Sequence, residues 1–114
     1  MNTFEMTLLY DYYGELLTER QRMCFELRHG QDLSLAEIAE ELQVSRQGVH
    51  DNLTRAEALL RNMEEKTGCV KRDLAYRKTL QTIRQKAMRL SECADSEVSV
   101  LAKEILSAAD MLEE

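Results

Sequence analysis

Ser45, Arg46, Gln47, His50, Asp51 and Thr54 fall within ten residues of one another, interleaved with the apolar positions Val49 and Leu53. On a helix the apolar pair, four residues apart, shares one face, and the polar set projects elsewhere. Arginine can grip guanine through two parallel hydrogen bonds, and glutamine can do the same for adenine. Arg46 and Gln47 at the start of a helix are therefore suited to reading base edges in a DNA groove. Ser45 as an N-cap, together with the helix N-terminus, could hold a phosphate, and Arg55 and Arg61 lie further along for backbone contacts. Gly48 is expected to leave room for a groove wall. Asp51, among these positions, would repel phosphate.

Other chemistry finds little support. The only histidines are His29 and His50, and Cys24, Cys69 and Cys93 form no CxxC pair. A zinc site wants clustered ligands, so neither a metal nor a cofactor is expected, and the thiols read as reduced and structural. The carboxylate pairs Glu40-Glu41, Glu64-Glu65 and Glu113-Glu114 are adjacent residues, which on a helix point about 100° apart. With no nucleophile beside a base, an enzyme is not expected.

Positioning a reading helix requires a scaffold, and the 114 residues and 13.2 kDa suit one ordinary domain. The chain has no Pro and four Gly, with 44% apolar residues, and no apolar run long enough to cross a bilayer. The N-terminus lacks the basic start of a secretory signal, so a cytoplasmic location is expected. This composition predicts an all-α fold. A first helix runs over 3–13 and ends at Gly14. Thr18 and Gln21 form a capping box that opens a second helix, which Gly30 closes. Ser34 and Glu37 form another box, opening a short helix with Leu35, Ile38, Ala39 and Leu42 on its apolar face. Gln43 and Val44 make a tight turn, and Ser45 caps a long helix reaching Lys66, stopped by Thr67-Gly68. Two more helices follow, over 73–90 and 96–112.

Residues 34–58 have the requirements of a helix-turn-helix. Ala39 is the small residue where the two helices cross, Ile38, Leu42 and Val44 flank the turn, and Val49 and Leu53 anchor the second helix. Gln43 stands where Gly is common, and a positive φ there would cost about 1 kcal/mol. The expected organisation is a helix-turn-helix domain over 1–68 and a C-terminal helical hairpin over 69–114. The hairpin would either pack on the first part, in a single compact domain, or form a dimer interface. Apolar seams at steps of three and four run through the last three helices: Val49 to Met63; Tyr76, Leu80, Ile83, Ala87 and Leu90; and Val98, Leu101, Ile105, Ala108 and Leu112. Such narrow seams favour near-parallel helix packing and predict a homodimer through the C-terminal helices.

Charge is unevenly distributed. Residues 1–33 hold three basic and six acidic groups, 34–67 four and seven, 68–93 seven and two, and 94–114 one and six. The reading module is thus acidic, and its affinity for duplex DNA should be weak and salt-sensitive. The basic block is Lys71, Arg72, Arg77, Lys78, Arg84, Lys86 and Arg89. It could pair with the acidic last helix, where Glu97 and Glu104 flank the seam, or track a nucleic-acid backbone.

The stretch from Leu17 to Arg61 resembles region four of bacterial sigma factors. More closely, residues 8–68, with Tyr10 to Gly14 and Leu17 to Gln21 at the start, are similar to the small YlxM-type helix-turn-helix proteins. The resemblance covers about two thirds of the chain. It implies a DNA-binding regulatory protein, and a link to the signal recognition particle pathway. Ser45, Arg46, Gln47, His50 and Arg55 fall at its DNA-facing positions, whereas Gln43 and Asp51 depart from a strong DNA reader. The alternative it leaves open is an adaptor that contacts the signal recognition particle GTPase or its RNA.

Overall fold

A computed structural model describes residues 3–112, whose regular elements are all helical: six α-helices, a 3-10 turn over Gly14–Leu16 and a widened turn over Glu26–Gly30. Helix α1 spans Thr3–Tyr13, α2 Glu19–Phe25, α3 Leu35–Leu42, α4 Arg46–Thr67, α5 Cys69–Ser91 and α6 Ser96–Leu112. No described helix is long and apolar enough to cross a membrane. The chain divides into two compact units, the first ending at Val70 and the second beginning at Lys71.

In the first unit, local signals set the helix starts. The Thr18 hydroxyl accepts the Gln21 N–H at 3.2 Å, while the Thr18 N–H donates to the Gln21 side chain at 3.0 Å. Ser34 and Glu37 repeat this at 3.1 and 3.0 Å, so both expected capping boxes form. The Ser34 N–H holds the Glu37 carboxyl below the ordinary carboxylate range.

Helix α4 is the spine of this unit. Its first half buries Val49 and Leu53 against Cys24, Leu27, Ile38 and Ala39. Its second half buries Ala56 and Leu60 in a cluster with Met6, Leu9, Tyr13, Leu17, Phe25 and Val70. Cys24 is fully buried, and desolvation raises its thiol pKa, so it serves as a core residue. Cys93, in contrast, is exposed, so the expectation of structural thiols fails there.

Helix α2 does not run as a plain α-helix to Gly30. After Phe25 it widens by one residue per turn over Glu26–Gly30, where the Gln31 N–H donates to the Glu26 carbonyl. Tertiary stacking supports the widening. Tyr10 lies flat on Phe25 at 4.6 Å, and His29 packs against the same ring at 4.4 Å. The Tyr10 hydroxyl donates to Glu26 at 2.5 Å, and burial first, then this carboxylate, push its pKa up to about 12. Gly14 is needed beneath the stack, because a Cβ there would stand 3.0 Å from the Tyr10 ring.

The stack leaves one buried group unsatisfied, the Nε2 atom of His29. Burial lowers the His29 pKa, with Arg28 acting in the same direction and Glu57 against it. A histidine whose folded pKa lies below its unfolded value, about 6.5, favours folding only while neutral. Stability of this unit should therefore be full above neutral pH and fall as pH drops through about 6.5 toward the folded value. Urea midpoints for wild type and His29→Phe between pH 8 and 5 check this. The variant should lose the part of the acid-side decline that histidine causes.

Helix α5 begins at Cys69, four residues before the expected start at Asp73. Gly68 adopts the left-handed conformation that ends α4, with φ 64°. Val70 must return at once to the first core, and the Glu64 carboxylate accepts its N–H at 3.0 Å. Glu64 also accepts the Tyr13 hydroxyl at 2.7 Å, and that hydroxyl lies 2.6 Å from Thr67.

The second unit is a hairpin of α5 and α6. The Ser99 hydroxyl donates to the Ser91 carbonyl at 2.9 Å, and Arg84 pairs with Asp110. The ion pair thus uses Asp110, where the sequence pattern pointed to Glu97 and Glu104. The expected seam on α6 is also displaced. Ala102 and Ala109 are buried, while Leu101, Ile105 and Leu112 are exposed. Alanines at a spacing of seven let two helices approach closely, which turns the neighbouring large residues to one side of the contact line.

Candidate nucleic-acid interface

The turn between α3 and α4 takes the geometry of a helix-turn-helix. Gln43 has φ 55° and ψ 49°, the left-handed conformation, and the Val44 N–H closes onto the Ala39 carbonyl at 3.0 Å. The Ser45 hydroxyl accepts the Gly48 N–H at 3.0 Å and so caps α4. A Cβ on Gly48 would lie 3.1 Å from the Ser45 oxygen, so the glycine makes room for the cap.

Behind this tip, Ile38 and Val49 are fully buried, and Ala39 and Leu53 nearly so. Ser45, Arg46, Gln47, His50, Asp51, Thr54, Arg55 and Arg61 are all exposed. At 100° per residue, Gln47, His50, Asp51 and Thr54 lie on the side of α4 opposite Val49, over about two turns. Arg46 stands at the side of that face and Arg55 on its other flank. Arg61 shares the face but lies about 24 Å along the axis from Ser45. The structure therefore brings together a compact tip, and places Arg61 on the shank.

Two contacts tie up part of the tip. The Gln47 side-chain amide donates to Asp51 at 3.0 Å, and His50 lies 3.7 Å from the same carboxylate. The Asn52 amide donates to the Gly48 carbonyl at 2.9 Å, inside the helix surface. The Gln47–Asp51 pair was available from its spacing, since glutamine and aspartate four residues apart meet on a helix. Arg46 and Arg55 then flank the tip as its arginine donors.

The family model of UPF0122, whose members are described as helix-turn-helix proteins, YlxM / p13 like, matches residues 1–99. The chain belongs to this family. A UPF0122 protein of Geobacillus kaustophilus is 40% identical over 103 residues, covering 90% of this chain and 93% of the relative. One from Acetivibrio thermocellus is 40% identical over 102 residues, covering 88% and 87%. One from Desulforamulus reducens reaches 61% identity over 66 residues, which is 58% of this chain and only 56% of the relative. The YlxM resemblance read from Tyr10 to Gly14 and from Leu17 to Gln21 is thereby borne out.

This UPF0122 chain concentrates seven of its 15 Lys and Arg residues on α5. On α5, Lys71, Arg72, Arg77, Lys78, Lys86 and Arg89 are exposed, while Arg84 is half-buried and engaged with Asp110. Lys71, Lys78, Lys86 and Arg89 follow one another by seven, eight and three positions. They form a ridge on the side of α5 away from buried Leu80 and Ala87.

Proposed function

We propose that the first unit binds duplex DNA by inserting the opening turns of α4 into the major groove, and that the protein acts in the cytoplasm as a regulator. One observation carries this reading: Val49 and Leu53 are held in the core while Arg46 and its neighbours project together from a capped helix start. In this role Arg46 takes a guanine edge, and Thr54 and Arg55 steady the helix against sugar and phosphate. Gln47 reads a base only after exchanging its bond to Asp51. Arg61, far along α4, serves a separate backbone contact.

A second reading has its own support. The Asp51 carboxylate sits in the middle of the tip and already holds Gln47, and residues 34–67 are net acidic. That favours a partner other than duplex DNA. By the YlxM resemblance it would be the RNA or GTPase of the signal recognition particle, with the α5 ridge as the contact for RNA.

Titration of labelled duplex DNA and of the particle's RNA at two salt concentrations tests both. For a DNA reader, Arg46→Ala should weaken binding by about 1–3 kcal/mol, roughly 5- to 150-fold, and reduce sequence preference. Indifference to Arg46→Ala, with RNA binding lost in Lys78→Ala/Lys86→Ala, would transfer the function to the α5 ridge.

A further inference from the structure

The hairpin of α5 and α6 has almost no core of its own. Its buried apolar side chains beyond Lys71 are Leu80, Ala87, Ala102 and Ala109. Beside that contact line, both helices turn large apolar residues to the same side. Tyr76, Ile83 and Leu90 repeat every seven residues on α5, and Leu101, Ile105 and Leu112 follow on α6. These six are 44–59% exposed. Between the two rows lies an apolar groove of about 290 Å³, to which Leu80 and Ala108 also contribute. Soluble monomers rarely leave so continuous an apolar strip in water.

We propose that this groove is the subunit interface of a homodimer, in which two hairpins stack face to face as a four-helix bundle. This assignment does not depend on what the first unit binds. Area and charge both select a second copy as the occupant. The strip runs about 21 Å along α5 and about 17 Å along α6, and spans two helices, about 20 Å. Its footprint is on the order of 400 Å² in projection and larger in accessible area, near the roughly 800 Å² per subunit of a standard interface.

The helices flanking the groove carry opposite charge. Residues 68–93 hold seven basic and two acidic groups, and 94–114 hold one and six. A partner of a single sign would match one helix and oppose the other. A second hairpin related by a two-fold axis along the helices lays α5 over the partner's α6, and matches both.

The arrangement makes a specific pair. Ser91 and Ser99 are in contact across the hairpin. Lys86 lies five residues before Ser91 and Glu104 five after Ser99, so the two stand level. Both are exposed and lie on the outer edges of the strip. The two-fold axis preserves height, and brings Lys86 of one copy against Glu104 of the other.

Sedimentation equilibrium of the full chain at about 1–50 µM tests this, with circular dichroism run alongside to confirm that each variant stays helical. Wild type should have twice the 13.2 kDa chain mass, and Ile83→Glu/Ile105→Glu should be monomeric. Lys86→Glu and Glu104→Lys should each raise the dissociation constant by a few fold, and the double exchange should restore it. A monomeric wild type at 50 µM, or a dimer indifferent to Ile83→Glu/Ile105→Glu, would overturn the proposal. Two charge exchanges that simply add would overturn the placement of α5 over α6.

Discussion

Leu60→Ala should lower the unfolding free energy of the first unit by about 3–5 kcal/mol, the largest effect expected from one truncation in this protein. Leu60 is fully buried where α4 meets α1 and the start of α5, among Met6, Leu9, Tyr13 and Val70. Removing three carbons there forfeits their transfer free energy and leaves a cavity. The surrounding residues come from three helices that cannot all close in together. A unit of about 70 residues has a total stability of only about 4–10 kcal/mol. The variant should therefore unfold at much lower urea than wild type, and at 37 °C a large part of it should be unfolded. Urea denaturation followed by circular dichroism checks this. A loss below about 1 kcal/mol would mean that α1 does not pack on α4 as described. The consequence reaches the exposed tip of α4, because Leu60 and Val49 hold down the same helix at opposite ends.

The tip is also where the sequence was most legible. Thr18-Gln21, Ser34-Glu37 and Ser45 act through hydrogen bonds within three residues, so the starts of α2, α3 and α4 follow from local chemistry alone. The left-handed Gln43 was legible for the same reason: the apolar face of α3 ending at Leu42 and the Ser45 cap leave two residues for the turn. Features set by distant contacts were not. The widened turn after Phe25 depends on Tyr10 and His29 both packing against one ring. The early start of α5 depends on Val70 and Glu64, which no spacing rule connects. On α6, steps of three and four describe two stripes equally well, one through Leu101 and Ile105 and one through Ala102 and Ala109. Periodicity names a face but does not say which neighbour it meets. At the tip itself, the residue types suggested what Arg46 and Gln47 could contact, and the structure adds what Gln47 already contacts.

Glu64→Ala should be nearly as damaging as the loss of Leu60, by about 2–4 kcal/mol, though it removes no apolar surface. The Glu64 carboxylate accepts the Tyr13 hydroxyl at 2.7 Å and the Val70 N–H at 3.0 Å. Tyr13 and Val70 are both buried and their bonds to Glu64 part-buried, so water replaces the lost acceptor only incompletely. A buried donor left unsatisfied costs about 1–3 kcal/mol, and bonds to a charged acceptor lie at the upper end. Thr67 remains beside the Tyr13 hydroxyl at 2.6 Å and offsets part of the loss there; among the described bonds, the Val70 N–H donates to Glu64. The damage should accordingly concentrate at the first turn of α5. Hydrogen exchange would show it as faster exchange at Cys69 and Val70, with α3 and the Ser45 cap protected as in wild type. Tyr13→Phe separates the two bonds: it removes one donor together with its need for a partner, and should cost only about 1 kcal/mol. If both substitutions cost the same, the Val70 N–H contributes nothing, and the early start of α5 must come from burial of the Val70 side chain alone.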